Sequence, residues 1–324
     1  MSVPEYFVLD NGDRMPRIGF GTWQTSDEVL EKAVDAALNA GYKHIDTARA
    51  YENEATIGKA LKRWIGDDDD KRKDLFIVTK LPPGGNRPEL VEEYFLASYN
   101  DLGLEYIDMY LMHVPFSFEH VPGDLHPKNP DGSMKVDLTT DIVSTWKAMQ
   151  KLKDSGKVRH LGVSNMNEEQ LKRLCEIAKP ECLQVEVHIL CQQKPLIAAA
   201  NRLGIPIVAY SPLGSKALAD MLSTKTGREY PSQLDLPAVK EIAKKHNRTP
   251  AQILLRYLLQ HGVAAIPKST DPTRIKQNIS VWDFELNEAE FNELRSLDQG
   301  EDGRICDFAF FRGVEKHPEF PFKK

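Results

Sequence analysis

Two rhythms of apolar residues alternate along this chain: short continuous runs, and longer stretches with apolar positions three and four apart. The short runs cover residues 18–21, 44–46, 75–80, 106–113, 158–164, 182–186, 206–210 and 264–266. Rich in Ile, Val, Leu and Tyr, they read as strands. Helical spacing covers 27–40, 53–64, 88–102, 141–155, 168–177 and 195–203, and a last helix begins at Pro272. Gly41 ends the first helix, Ile57, Leu61 and Trp64 share one face of the second, and Pro88 is placed in the first turn of the third. Strands alternating with helices imply right-handed βαβ units and a parallel sheet. Eight repeats predict closure into an α/β (β/α)8 TIM barrel, one domain over residues 1–324.

Ahead of the barrel, residues 6–16 read as a β-hairpin around Asp10-Asn11-Gly12-Asp13. The Asn-Gly pair is expected to supply the positive φ angles of a tight turn, and the hairpin to plug the barrel's bottom. Three segments are too long to be plain connectors: 114–139, 211–236 and a tail after Leu297, about 299–324. The first two follow strands four and seven, so they are predicted to overhang the C-terminal rim. The acidic run 67–70, followed by Lys71-Arg72-Lys73, reads as a solvated turn.

A hydrophobic content of 41% suffices for a globular core, and a net charge of −6 argues against nucleic acid or an anionic membrane as partner. Met1-Ser2-Val3-Pro4-Glu5-Tyr6 shows no basic stretch followed by an apolar one, and no apolar run reaches the ~18 residues of a membrane helix. Cys175, Cys182, Cys191 and Cys306 lack C-x-x-C spacing, so reduced thiols in a cytoplasmic protein are expected.

Three successive strands end in ionisable groups, Asp46, Lys80 and His113, with Tyr51 shortly beyond the first. In (β/α)8 enzymes the reacting residues come from several strand ends. The set contains no nucleophile–base pair and no metal-ligand spacing; it suits protonation of a carbonyl oxygen while a hydride is delivered. Tyr51 is the candidate general acid. A free phenol has a pKa of ~10, and Lys80 is expected to lower it, with Asp46 orienting the ammonium. His113 is placed to hydrogen-bond the carbonyl as a neutral imidazole. A glycosidase needs two facing carboxylates, which these strand ends do not offer. Metal-dependent hydrolysis needs clustered ligands, and Glu186 with His188 is the nearest approach.

After strand eight, Pro267-Lys268-Ser269-Thr270-Asp271-Pro272-Thr273-Arg274 reads as a phosphate site. Thr270 or Asp271 can cap the helix, and Lys268 and Arg274 add charge suited to a 2′-phosphorylated adenosine, hence NADP. Tyr210 is placed to stack on a nicotinamide, with Ser164, Asn165 and Gln184 as carboxamide partners. Gly19-Phe20-Gly21 lacks the third glycine of a dinucleotide fingerprint, so a Rossmann domain is excluded.

The stretches Gly19-Phe20-Gly21-Thr22-Trp23, His44-Ile45-Asp46-Thr47-Ala48-Arg49-Ala50-Tyr51-Glu52-Asn53-Glu54, Leu161-Gly162-Val163-Ser164-Asn165 and Ile266-Pro267-Lys268-Ser269 follow in an order that resembles the aldo-keto reductases over essentially the whole chain. The resemblance implies NADPH/NADP+ as cofactor, no metal, and a catalytic tetrad of Asp46, Tyr51, Lys80 and His113. It implies cofactor contacts at Thr22, Trp23, Asp46, Ser164, Asn165, Gln184, Tyr210, Ser211, Leu213, Ser215, Lys268, Ser269, Thr270, Arg274, Gln277 and Asn278. A small-molecule carbonyl would meet Trp23, Tyr51, His113 and Val114, and a monomer is expected. Many relatives carry Trp where Val114 and Pro82 stand, which implies a wider or differently shaped pocket. The tail from Phe308 is similar to insect members, some of which reduce ecdysteroid ketones; its phenylalanines either close the pocket or pack structurally. Reduction of steroid ketones or of a broad set of aldehydes is the implied activity. The alternative is a catalytically idle scaffold acting as a cofactor sensor or structural protein.

Overall fold

The computed structural model describes residues 3–308 and 310–322. Met1, Ser2, Ala309, Lys323 and Lys324, which fall within the expected start and tail, lie outside the described residues. The chain opens with a hairpin, β1 (Tyr6–Val8) and β2 (Arg14–Pro16), paired antiparallel with Phe7 opposite Met15. Its turn differs from the expectation. Gly12 takes a positive φ of 90° but Asn11 does not; the Asn11 side chain accepts from Asp13 N at 2.9 Å instead. Leu9 N donates to Asp13 O, so the loop is longer than a two-residue turn.

Eight strands follow: β3 (Gly19–Gly21), β4 (His44–Asp46), β5 (Phe76–Leu81), β6 (Ile107–Met112), β7 (Val158–Ser164), β8 (Leu183–Glu186), β9 (Ile207–Tyr210) and β10 (Ala264–Ala265). Each pairs in parallel with the next. A parallel bridge from Ile18 to Ala265 joins the last strand to the first, so the sheet forms the nearly closed barrel that eight repeats predict. All six residues of β5 and all six of β6 are buried, as strands covered on both faces require. Phe76, Val78, Met109, Leu111 and Val208 form an apolar cluster with Leu9 and Met15. The hairpin therefore does plug the bottom.

The helices are α1 (Asp27–Asn39), α2 (Glu54–Ile65), α3 (Asp69–Lys73), α4 (Val91–Leu102), α5 (Ile142–Lys153), α6 (Glu168–Cys175), α7 (Lys194–Leu203), α8 (Lys216–Thr226), α9 (Pro237–His246), α10 (Pro250–Gln260), α11 (Pro272–Ile279) and α12 (Glu288–Arg295). Pro88 precedes α4 rather than sitting in its first turn. Within the basic run, Arg72 turns inward to Asp108 at 2.8 Å, so that stretch is not wholly solvated. The segment 211–236 is not structureless, since it holds α8. Apolar spacing also fails to anticipate α9, α10 and α12. In α10 every residue from Gln252 to Leu259 is buried, and a helix buried all round has no single apolar face to detect. Its Thr249–Gln252 capping box is the legible signal.

Above the rim, the 114–139 and 211–236 segments and the tail meet in a second apolar cluster. It contains Val114, Phe116, Phe118, Leu218, Cys306 and Phe308, with Trp23 and Tyr210 packed against it.

Candidate active site

Strand order sets the site. Asp46 closes β4, Lys80 lies near the end of β5 and His113 follows β6, so all three reach one end of the barrel from neighbouring strands. Lys80 is fully buried, and its three ammonium protons have three acceptors. Its Nζ stands 2.6 Å from Asp46 Oδ1, 2.7 Å from the Thr47 carbonyl and 3.5 Å from the Tyr51 hydroxyl, the last at the outer limit of hydrogen bonding. Gln184 Nε2 donates to the other Asp46 oxygen at 2.6 Å. Tyr51 ends a 3₁₀ turn over Arg49–Tyr51, which Glu52 stops by taking a φ of 55°. Thr22 Oγ1 donates to Asp46 O at 2.9 Å and Asn53 Nδ2 to Thr22 O at 3.0 Å, tying this turn to β3 and β4. The His113 ring meets the Tyr51 ring edge-on at 5.7 Å. Its Nδ1 is buried with no hydrogen-bond partner among the described residues.

The electrostatics correct one expectation. Burial raises the Tyr51 pKa above the ordinary phenol value; Lys80 pulls it down, Asp46 pushes it up, and the net direction is upward. Tyr51 is therefore a protonated phenol at neutral pH, suited to giving a proton. Burial pushes the Lys80 pKa down, but the Asp46 charge, helped by the hydrogen bonds to Asp46 and Tyr51, outweighs it, and the net direction is upward. Burial, followed by the charges of Lys80 and His126, takes the His113 pKa well below the ordinary imidazole value, so its ring is neutral at pH 7.

Around this core, Asn165 takes a φ of 60° after β7 and its Oδ1 accepts from the Tyr210 hydroxyl at 2.7 Å. Its Nδ2 donates to His113 O at 2.9 Å, and Ser164 Oγ donates to Gln184 O at 2.8 Å. After Tyr210, Ser211 and Ser215 both take positive φ around half-buried Leu213, leading to α8, whose start has no side-chain cap. At the end of β10, Asp271 and not Thr270 caps α11, accepting from Arg274 N at 2.9 Å. Ser269 is buried, Lys268 and Arg274 are exposed, and Gln277 and Asn278 follow on the same helix. Burial and then the charge of Arg274 push the Lys268 pKa down, which marks two cations facing one region.

Val114 is buried in the apolar cluster at the rim. Rings arrive from elsewhere: Phe116 lies 5.3 Å from Phe308, and Phe118 5.4 Å from Phe311. Thr47, Asn53 and Glu54 were absent from the expected site. Glu54 is buried, accepting from Thr79 Oγ1 at 2.5 Å and Ser98 Oγ at 3.0 Å, behind the strand that carries Lys80. All three fall inside the Asp46-to-Glu54 motif, which is the signal for them.

With this geometry, the sequence profile described as the Aldo/keto reductase family matches residues 17–299, and the chain belongs to that family. It is 43% identical over 299 residues to "Aldo-keto reductase family 1 member A1" of Gallus gallus, covering 91% of this chain and 89% of the relative. To "Aldo-keto reductase family 1 member A1-A" of Danio rerio it is 40% identical over 323 residues, 97% of each chain. The solved structure described as the aldose reductase from Schistosoma japonicum superposes with a TM-score of 0.89 at 37% identity, covering 99% of both chains.

Proposed function

We propose that this chain is a cytoplasmic, monomeric, NADPH-dependent reductase of aldehydes and ketones, with Tyr51 as proton donor. One observation carries the reading: a protonated phenol held beside a buried ammonium and a neutral imidazole at one end of the barrel. NADPH bound along the rim would supply the hydride to the carbonyl carbon. Tyr51 OH donates its proton to the carbonyl oxygen as charge develops there. Lys80, fixed by Asp46 and Thr47, stabilises the phenolate left behind. The neutral His113 ring donates a hydrogen bond to the same oxygen and orients it.

The residues present suit that cofactor. Tyr210, pinned through its hydroxyl to Asn165, would offer a ring face to the nicotinamide, and Ser164, Asn165 and Gln184 would be the partners of its carboxamide. Ser211, Leu213 and Ser215, with the start of α8, would hold the diphosphate. Lys268, Ser269, Thr270 and Arg274 would hold the 2′-phosphate, and Gln277 and Asn278 the adenine. Thr22 and Trp23 would hold the nicotinamide side, where Trp23, Tyr51, His113 and Val114 would meet the substrate. The ring-lined mouth favours bulky apolar carbonyls, steroid ketones among them.

The Tyr51→Phe variant tests the reading. Reduction should fall at least ~10²-fold while NADPH affinity stays within about twofold, since the hydroxyl serves the proton and not the cofactor. Undiminished turnover would remove the donor role. Tight NADPH binding with no turnover of any carbonyl by the unaltered chain would favour the sensing scaffold.

A further inference from the structure

Glu186 is a fully buried carboxylate that the reading above does not use. It ends β8, and across the sheet it is paired in register with Tyr210. Its oxygens accept from three donors. Ile305 N reaches Oε1 and Cys306 N reaches Oε2, each at 2.8 Å, and His188 Nε2 lies 2.8 Å from Oε1. His188 Nδ1 accepts from Cys191 N at 3.2 Å, which leaves the ring proton on Nε2, pointing at Glu186. Two of the three donors are thus main-chain amides of the tail.

The surrounding contacts run the same way. Gln193 Nε2 donates to the Glu186 carbonyl at 2.5 Å while Gln193 Oε1 accepts from Arg304 Nη2 at 3.1 Å. Gln299 N donates to Leu190 O at 2.9 Å. Gly303 lies so close that a Cβ there would stand 1.9 Å from Leu190 O. The segment after β8 and the start of the tail are therefore joined along their length. Immediately beyond the joint, Cys306 and Phe308 enter the apolar cluster that holds Val114, Phe116, Trp23 and Tyr210.

We propose that Glu186 is a positioning residue for substrate selection: its carboxylate fastens the tail, so that Cys306 and Phe308 form a fixed wall of the carbonyl pocket beside Tyr210. This rests on the reductase reading and adds the device that sets its pocket shape. A carboxylate is required because the site presents donors only. A glutamine replaces one acceptor oxygen with an NH2 group, so one amide of the tail would face another donor without water.

The test compares Glu186→Gln and Ile305→Pro with the unaltered chain, using propanal and biphenyl-4-carbaldehyde with NADPH. Ile305→Pro deletes one of the two tail donors without touching β8, and Arg304, at φ −63° and ψ 134°, already has the extended backbone a following proline demands. In both variants KM for the biphenyl aldehyde should rise at least about fivefold, with its kcat, the propanal kinetics and the NADPH Kd within about twofold. Hydrogen exchange at residues 306–308 should quicken. Equal losses for both aldehydes, or a weakened NADPH Kd, would mark a general structural role and overturn the proposal. So would an unchanged KM for the large aldehyde in a folded variant. If Glu186→Gln does not fold, Ile305→Pro decides alone. If the unaltered chain reduces neither aldehyde, the reductase reading fails, and the exchange rates still decide whether Glu186 fastens the tail.

Discussion

Two histidines, buried His160 at the bottom of the barrel and half-buried His113 at the top, show how the same side chain is set in opposite surroundings. At the bottom, His160 of β7 has both ring nitrogens engaged: Nδ1 lies 2.5 Å from Glu181 Oε2 and Nε2 2.9 Å from Asp13 Oδ2 in the hairpin turn. Burial pushes its pKa down, but the bonds to Glu181 and Asp13 outweigh it and the net direction is up. At the top, His113 has, among the described residues, no carboxylate partner and an unpaired Nδ1, and its pKa is driven down. The bottom spends its polar valences on holding the hairpin; the top keeps some unspent. Full satisfaction accompanies stability, and partial satisfaction accompanies chemistry.

Lys80 blurs this division and offers the hardest test of it. Replacing it by Met leaves Asp46 buried with only Gln184 and no cation. The Lys80→Met chain should lose ~3–5 kcal/mol in urea unfolding as well as nearly all carbonyl reduction. Stability unchanged within error would show that the buried contact between Lys80 and Asp46 does not hold the fold together. Next in size, Lys268→Met and Arg274→Met should each weaken NADPH by roughly ten- to a hundredfold in fluorescence titration, with NADH altered less than about threefold and the unfolding midpoint unmoved. Equal losses for both cofactors would contradict the 2′-phosphate assignment.

The bottom should respond in stability alone. A raised folded pKa means that the His160 contribution is complete below its unfolded value of 6.5 and fades as pH rises through the folded one. Glu181 and Asp13 are lowered from 4.5 and 3.8, so their share is present above those values and is lost on acidification. The Tm difference between the unaltered chain and His160→Gln should therefore be largest near about pH 5–6 and shrink above about pH 8. A difference that grows with pH would invert the picture. The smallest effect is a null one: His113 should show no imidazole titration by NMR between about pH 6 and 8.

The barrel and the meeting of Asp46, Lys80 and His113 at its rim were legible because they are written locally. A strand buried on both faces is an apolar run, and Asp46, Lys80 and His113 mark where three such runs stop. Burial was not legible, and it decided the Tyr51 pKa: the Lys80 charge is visible in sequence, but the desolvation that overrides it arises only in three dimensions. Asn11 shows the same limit, since Asn-Gly suggests a two-residue turn until the Asn side chain finds Asp13. Glu186 was weighed only as a metal ligand because its partners are amides some 120 residues later, at Ile305 and Cys306. The ring-lined mouth likewise joins residues 114–118 to a tail near the chain's end, a pairing no local spacing encodes.

The bridge between Ile18 and Ala265 has a consequence for biosynthesis. While the chain emerges from the ribosome, β3 has a partner on one side only, because the strand that seals its other edge is the last of the eight to be made. An unpaired strand edge invites association with other chains, and pairing across such sequence distance is slow. Sealing of the cylinder is thus a late event, and nascent chains are most exposed to misassembly until β10 is released.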